Sequence, residues 1–483
     1  MPDMDRYEPV IGLEVHAQLL TKSKLFCSDS VAFGAFPNSQ VSAISLAHPG
    51  TLPLMNEQAE ELAIRLGLAF DCDITRFNYY ARKNYFYPDL PKGYQITQHT
   101  TPICKNGKVT IVVNGLERTV SLNRIHLEED AGKSIHDIDE ENTCVDLNRA
   151  GVPLLEIVSE PDLFSSEEAF AYLTEIRRMV RHLEVCDGNM EEGSLRCDAN
   201  VSVRLKGDKT LGTRVEIKNL NSIRNVKRAI EFEIKRMIGL LENGEIIIQQ
   251  TRSFDAGAGT TFSLRNKEEA NDYRYFPDPD LAPFVVTEEK IDRIKNNLPE
   301  LPAALDKRLA NQFGLSEESI KVIGEDKKMA DYFFSITNHT SHYRAVANWM
   351  IGPIKLYLNK SNAGIELFPI SVETMVQLIN LVEEGKVSYG IASSRIFPVL
   401  LESDEKNPLQ IAKDQNLLQE KNDDTVHAWI DEVLAALPEK VKEYQKGKKN
   451  LIGLFAGEVR KKSQGKADMQ IVNQLLIQKL NQK

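Results

Sequence analysis

The sequence predicts an α+β N-terminal region with an antiparallel sheet, followed by an all-α C-terminal region. Three observations carry this reading. Strand-type alternation and helical stripes are interspersed over the first ~280 residues. Pro277, Pro279 and Pro283 then break the pattern. From Glu288 onward the apolar spacing is helical, with no strand alternation.

Taken in order, Leu13–Leu19 alternates with period two, as a half-buried strand must. Val109–Val113 and the run from Leu116 flank Asn114-Gly115, whose backbone freedom suits a two-residue hairpin turn. Residues 165–184 read as a helix: Ser165 and Glu168 form a capping box, and Phe170, Leu173, Ile176, Val180 and Leu183 follow at helical spacing. A second helix covers 223–243, with Ser222 as cap, a stripe of Ile223, Val226, Ile230, Ile234, Met237 and Leu241, and Gly244 as stop. A boundary is expected near residue 290. In the C-terminal region Val426, Trp429, Ile430, Val433, Leu434 and Leu437 form another helical stripe before Pro438, and the polar stretch near Leu401–Pro408 suggests a second boundary. The expected division is therefore 1–290, 291–405 and 406–483.

The 483 residues carry 59 Lys+Arg against 70 Asp+Glu, with 42% hydrophobic residues, which excludes a disordered or fibrous chain. Six widely spaced cysteines with no CxxC pair argue against a disulfide scaffold and point to a reducing compartment. The first residues, MPDMDRYEPV, show no signal peptide, and no run approaches the ~18 apolar residues of a membrane span, so a cytoplasmic chain without membrane contact is expected. The net charge of −11 is uneven: residues 440–483 hold eleven Lys/Arg against three acids, a local +8 that leaves −19 for the rest. A basic end suits phosphate contact. The acidic run Asp137, Asp139, Glu140 and Glu141 reads as a solvated loop.

Four strand-like segments carry chemistry opposite their apolar faces. Alternation aligns Glu14, His16 and Gln18; Arg124, His126 and Glu128; Arg196, Asp198, Asn200, Ser202 and Arg204; and Arg214, Glu216 and Lys218. As neighbours in one sheet, they would form a floor of carboxylates, imidazoles and cations. Carboxylates with histidine can hold a hard cation such as Mg²⁺ while Arg and Lys neutralise phosphates, so the inventory fits nucleotide-dependent phosphoryl transfer. Other chemistries lack their signatures. Gly132-Lys133-Ser134 is not a phosphate loop, because the required upstream glycine is Leu127, and no dinucleotide fingerprint, HExxH or GxSxG is present. The segment Arg82–Gln95 interleaves Arg82, Lys83 and Lys92 with Tyr85, Phe86, Tyr87 and Tyr94 between fixed prolines, a composition suited to a rigid nucleotide-contacting loop or to a packed one.

The strings VIGLEVH (10–16), RKNYFYPDLPKGYQ (82–95), RIHLEEDAGK (124–133), DLNRAGVPLLEIVSEPD (146–162), MEEGSLRCDANVS (190–202), EIKNLNS (216–222) and DYRYFPDPDL (272–281) closely resemble the B subunit of the aspartyl/glutamyl-tRNA amidotransferases. The likeness runs through to MQIVNQLLIQKLNQK (469–483). It implies a glutamine synthetase-like α+β cradle, a helical domain and a small helical tail that meets tRNA. It also implies a heterotrimeric enzyme whose A and C subunits are the partners of this chain, the A subunit being an amidase that frees ammonia from glutamine. The B subunit would use ATP and Mg²⁺ to phosphorylate the side-chain carboxylate of misacylated Glu-tRNA(Gln), Asp-tRNA(Asn) or both, before amidation.

Carried onto this chain, the resemblance implies Glu14, His16, Glu128 and Glu216 as catalytic residues and metal ligands. Strand-face arithmetic adds Arg196, Asp198, Asn200 and Lys218 as ATP or phosphate contacts. Arg82, Lys83, Tyr85, Tyr87 and Lys92 are assigned to the tRNA 3′ end, and Lys448, Lys449, Arg460, Lys461 and Lys462 to the tRNA body. Some family members carry a cysteine-rich zinc site near the N-terminus. Cys27 stands alone there, so no structural zinc is expected. A tRNA-holding scaffold without chemistry and a free-standing small-molecule ligase are the rival readings. The basic end speaks against the second.

Overall fold

Period-two alternation builds the centre of the sheet. In the computed structural model, which describes residues 4–136, 138–139, 141–266, 272–402, 407–419 and 423–481, strand β1 (Tyr7–Gln18) buries Leu13, Val15 and Ala17 completely. Glu14, His16 and Gln18 take the other face, as the pleat requires. Asp137 and Glu140 of the acidic run, part of the polar stretch near residue 405 and the last two residues lie outside the described residues.

Two compact units are present, Met1–Pro302 and Ala303–Lys483. In the first, β1 is joined by β2 (Ala81–Asn84), β3 (Tyr94–Thr97), β4 (Leu116–Glu129), β5 (Pro153–Ser159), β6 (Leu195–Leu205), β7 (Val215–Lys218), β8 (Gln250–Asp255), β9 (Thr260–Asn266) and β10 (Phe276–Pro277). Their spatial order is β9-β8-β7-β6-β1-β5-β4-β3-β2-β10. Neighbours along this path are antiparallel except β7 and β8. The chain returns between those two through a helix, the crossover that a parallel pair needs. The hairpin signal at Asn114-Gly115 is a two-residue turn, with Val113 opposite Leu116 and φ of 52° and 78° at the turn residues.

Three helices, α1 (Glu57–Ala69), α2 (Ser166–His182) and α3 (Ile223–Glu242), contribute to the core on the apolar face of the sheet. Both expected caps are made: Ser165 Oγ accepts from Glu168 N and Ser222 Oγ from Asn225 N. Glu168 closes its half of the box one residue early, accepting from Phe164 N at 2.7 Å. The expected stripe of α2 is corrected at one position: Phe170 is 40% exposed, and Ala169, Tyr172 and Met179 fill the buried face with Leu173, Ile176 and Val180. Helix α4 (Glu288–Asn296) belongs to the first unit, because Ile291 and Ile294 enter its core and Lys290 pairs with Glu60 of α1 at 2.9 Å.

The second unit shows helices and no strand among its described residues. It has two apolar clusters, one spanning residues 305–417 around fully buried Trp349 and Phe333, the other residues 426–480 around Ile430, Phe455 and Leu476. No described helix is long and apolar enough to cross a membrane.

Candidate active site

Register brings the four polar strand faces together. Glu14 lies opposite Asp198 and His16 opposite Arg196 on β6. On the other flank His16 faces Glu156 of β5, which in turn faces His126 of β4. Across β6, Asn200 faces Glu216 of β7. These strands floor a cleft of about 1680 Å³.

The four residues expected to form one metal cluster are distributed over two neighbouring groups. His16 and Glu128 meet Glu156, while Glu14 and Glu216 meet Asp198; within each group one ligand atom per residue lies within 4.8 Å of the others. Hard oxygen donors with at most one imidazole suit a divalent cation such as Mg²⁺, so the donor set fits the metal that the sequence suggests. In the first group, His16 Nε2 is 3.7 Å from Glu156 Oε2 and 3.9 Å from Glu128 Oε1. His126 Nε2 approaches the same two carboxylates at 3.2 and 3.6 Å. Burial disfavours a charged His126, but Glu156 and Glu128 outweigh it and push the imidazole up to about 9. Burial likewise opposes ionised Glu156, yet His126, His16 and Lys83 hold its carboxyl well below the usual carboxylate range.

The second group is braced by hydrogen bonds. Asn200 Nδ2 donates to Glu14 Oε1 at 2.8 Å, and Thr251 Oγ1 donates to Glu216 Oε2 at 2.9 Å. Lys218 Nζ donates to Asp198 Oδ2 at 2.5 Å and lies 3.1 Å from Glu216 Oε1. Burial, with Glu156 next, raises the Glu14 carboxyl above its ordinary range. Arg196 reaches Asp130, which is 4% exposed and also accepts from Gln18 Nε2 at 2.9 Å. Thus Asn200 and Asp198, expected as nucleotide contacts, touch the carboxylate cluster, while Arg196, Lys218 and Arg214 line the cleft as cations.

The loop residues separate by face. Lys83 and Tyr85 line the cleft, with Lys83 Nζ 4.9 Å from the Tyr273 ring centre. Burial works against the Lys83 charge, but Glu128 and its neighbours raise its pKa. Arg82 instead pairs with Asp278 and Asp280 and lies over the Tyr94 ring at 4.2 Å, and Lys92 pairs with Glu129; both line a separate pocket of about 240 Å³. Tyr87 is 58% exposed. All five tail cations are exposed. Lys448 pairs with Glu443, Lys461 with Glu458 and Lys462 with Glu432, while Lys449 lies 4.2 Å from the Tyr444 ring centre.

The structure adds Glu156 and Asp130 to the sequence-derived set, and gives His126 a partner. A signal for Glu156 existed: it is the one charged residue in the apolar run Leu154–Val158.

A carboxylate-floored antiparallel sheet with a helix-covered back defines an α+β catalytic chain. Residues 9–292 match the family described as the GatB/GatE catalytic domain, and residues 331–480 match the GatB domain. The chain is 47% identical over 475 residues to the B subunit of the aspartyl/glutamyl-tRNA(Asn/Gln) amidotransferase of Syntrophotalea carbinolica, covering 98% of this chain and 99% of that one. It is 47% identical over 477 residues to the B subunit of Nitratidesulfovibrio vulgaris and 46% identical over 477 residues to that of Thermodesulfovibrio yellowstonii, in each case covering 99% of this chain and 100% of the relative. The chain belongs to the family of amidotransferase B subunits.

Proposed function

We propose that this chain uses ATP and Mg²⁺ to phosphorylate the side-chain carboxylate of Glu-tRNA(Gln), Asp-tRNA(Asn) or both, and then amidates it with ammonia. The observation that carries this reading is the pair of acidic groups lying together on one sheet floor, flanked by Lys83, Arg196, Arg214 and Lys218. A free carboxylate lacks a leaving group that ammonia can displace, and phosphorylation supplies one. The γ-phosphoryl bond to ADP breaks as a bond to the carboxylate oxygen forms; ammonia then attacks the acyl carbon, phosphate departs and a proton is lost.

Positioning and charge neutralisation are most of what such a transfer needs. His16, Glu128 and Glu156 would hold one Mg²⁺, and Glu14, Asp198 and Glu216 a second; bound there, the ions neutralise phosphate oxygens. Lys83 and Arg214 face the same space and neutralise phosphate or the incoming carboxylate. Asn200 and Thr251 orient Glu14 and Glu216 through the hydrogen bonds described above.

Ammonia comes from the glutaminase, the A subunit of a heterotrimer that the C subunit completes, and the complex works in the cytoplasm. The first unit, through Pro302, acts as the cradle, and the residues from there to about 405 act as a helical domain. Residues 406–483 act as the tRNA-binding tail, meeting tRNA phosphates through Lys448, Lys449, Arg460, Lys461 and Lys462. Arg82, Tyr85, Tyr87 and Lys92 belong to the region around the acceptor end.

The test is chemical trapping. Assembled complex, misacylated tRNA and ATP·Mg²⁺, with hydroxylamine and no ammonia donor, are expected to give the side-chain hydroxamate of the attached Glu or Asp, with one ADP and one phosphate released for each, above the ATP-independent hydroxamate that hydroxylamine forms by cleaving the aminoacyl ester. No ATP-dependent side-chain hydroxamate, with tRNA bound, would overturn the activation step.

A further inference from the structure

Each acidic group has a cation of the chain beside it, an imidazole, His126, at Glu128 and Glu156 in the first and a lysine in the second. Beside Glu14, Asp198 and Glu216 lies an ammonium from the chain itself: Lys218 Nζ is 2.5 Å from Asp198 Oδ2 and 3.1 Å from Glu216 Oε1. It therefore presents a positive charge to two of the three carboxylates that would bind a cation. Lys218 is the last residue of β7, and Asn219 after it takes φ +62°, so the main chain at this point is fixed by a strand end and a turn. The side chain is not: four rotatable bonds separate Nζ from that anchor.

Two direct ion pairs hold the ammonium where a cation would bind. To admit a divalent cation the ammonium must move, and the nucleotide's phosphates, the most highly charged anion that the proposed reaction brings to this cleft, offer it a second partner.

Building on the reading of the floor as a cation and ATP site, we propose that Lys218 is a tethered counter-ion. It holds the Glu14–Asp198–Glu216 position until phosphate draws it away, so that the second divalent cation enters with the nucleotide and not before it. Lys218 is then a positioning residue with two stations, carboxylate and phosphate. The coupling is reciprocal: nucleotide tightens the cation, and the cation tightens the nucleotide.

Mn²⁺ binding to the assembled complex, followed by electron paramagnetic resonance without nucleotide, tests this. The wild type is compared with Lys218→Met, Lys218→Gln and Lys218→Arg, with thermal unfolding confirming that each is folded. Both neutral variants are expected to gain a Mn²⁺ site about tenfold tighter or more than any the wild type shows there, because a unit charge within ~4 Å is removed. Lys218→Arg is expected to resemble the wild type. Adding a non-hydrolysable ATP analogue should raise the wild type to the neutral variants' occupancy, and Asp198→Asn in the Lys218→Met background should abolish the gained site.

Unchanged or weaker Mn²⁺ binding in both neutral variants would overturn the counter-ion role, as would a gained site that survives Asp198→Asn. If the wild type binds no Mn²⁺ even with the analogue, the reading of the floor as a cation site fails with it. If the wild type binds Mn²⁺ normally with the analogue and only the gain is missing, the Lys218 inference alone fails.

Discussion

Asp130 shows how a single buried charge ties the cleft wall to stability. Burial would raise its pKa, but Arg196, Arg149 and the hydrogen bond from Gln18 lower it below the ordinary 3.8. A carboxyl whose folded pKa is depressed contributes stability that is complete above its unfolded value and is lost as pH falls through the folded one. The urea midpoint of the wild type is therefore expected to fall on acidification below about pH 4. Asp130→Asn should flatten part of that fall and, at about pH 6, cost roughly 1–3 kcal/mol, the range for leaving buried polar partners unsatisfied. Equal stability and an unchanged acid profile in the variant would remove Asp130 from this account.

Neighbouring residues on one strand explain the split fate of the loop. Arg82 and Lys83 are consecutive on β2, so their side chains leave opposite faces: Lys83 enters the cleft and Arg82 turns to Asp278 and Asp280. That division follows from alternation once Ala81–Asn84 is known to be a strand. The segment's composition of cations and tyrosines hides it. Glu156 was hidden differently. A strand apolar on both faces shows no polar stripe: the lone charge at Glu156 marks the residue, and its partners His16 and His126 show on which side the cleft lies.

Among elements, the strands of the floor were the most legible, because a half-buried strand writes its two faces into alternate residues. Which carboxylates would converge was not legible, since it depends on register between strands distant in sequence; the pairings that place Glu14 opposite Asp198 and Asn200 opposite Glu216 are set by the sheet, not by any one segment. Helix α2 was legible in its cap and most of its stripe. Phe170 was misplaced because it sits at the edge of a 3.6-residue face that Ala169 and Tyr172 define better. Leu173→Ala is expected to cost about 2–5 kcal/mol and Phe170→Ala, half-exposed, under about 1.5 kcal/mol. Chemical denaturation of both variants checks the ordering. A larger loss for Phe170 would mean that the helix is rotated from the orientation described.

At the scale of the whole chain, prolines mark where the long strands end, with only the two-residue strands Phe276–Pro277 and Phe284–Val285 at or beyond them, but not where the first core ends. Helix α4 lies beyond Pro277, Pro279 and Pro283 and still gives Ile291 and Ile294 to that core, which carries the first unit to Pro302. Apolar periodicity identified the C-terminal helices, and the second unit's two clusters, 305–417 and 426–480, follow from where those stripes meet. The charge asymmetry was legible from composition alone: the exposed cations of residues 448–462 lie in the second unit, and the carboxylate floor in the first. One chain thus carries an exposed cationic segment in one unit and a carboxylate-lined cleft in the other.

The central claim is that this cleft performs the activation. The most direct measurement supplies ammonium chloride in place of glutamine to the assembled complex, so that glutaminase chemistry is bypassed, together with labelled Glu-tRNA(Gln) and ATP·Mg²⁺. Conversion to Gln-tRNA(Gln) is compared among the wild type, Glu128→Ala and Glu156→Gln, each shown to assemble and to bind tRNA. The account predicts that both variants lose about 10²–10³-fold or more in conversion, the loss typical of removing a group that stabilises transition-state charge. Wild-type conversion in both variants would contradict it, and would leave the chain as a tRNA-holding scaffold.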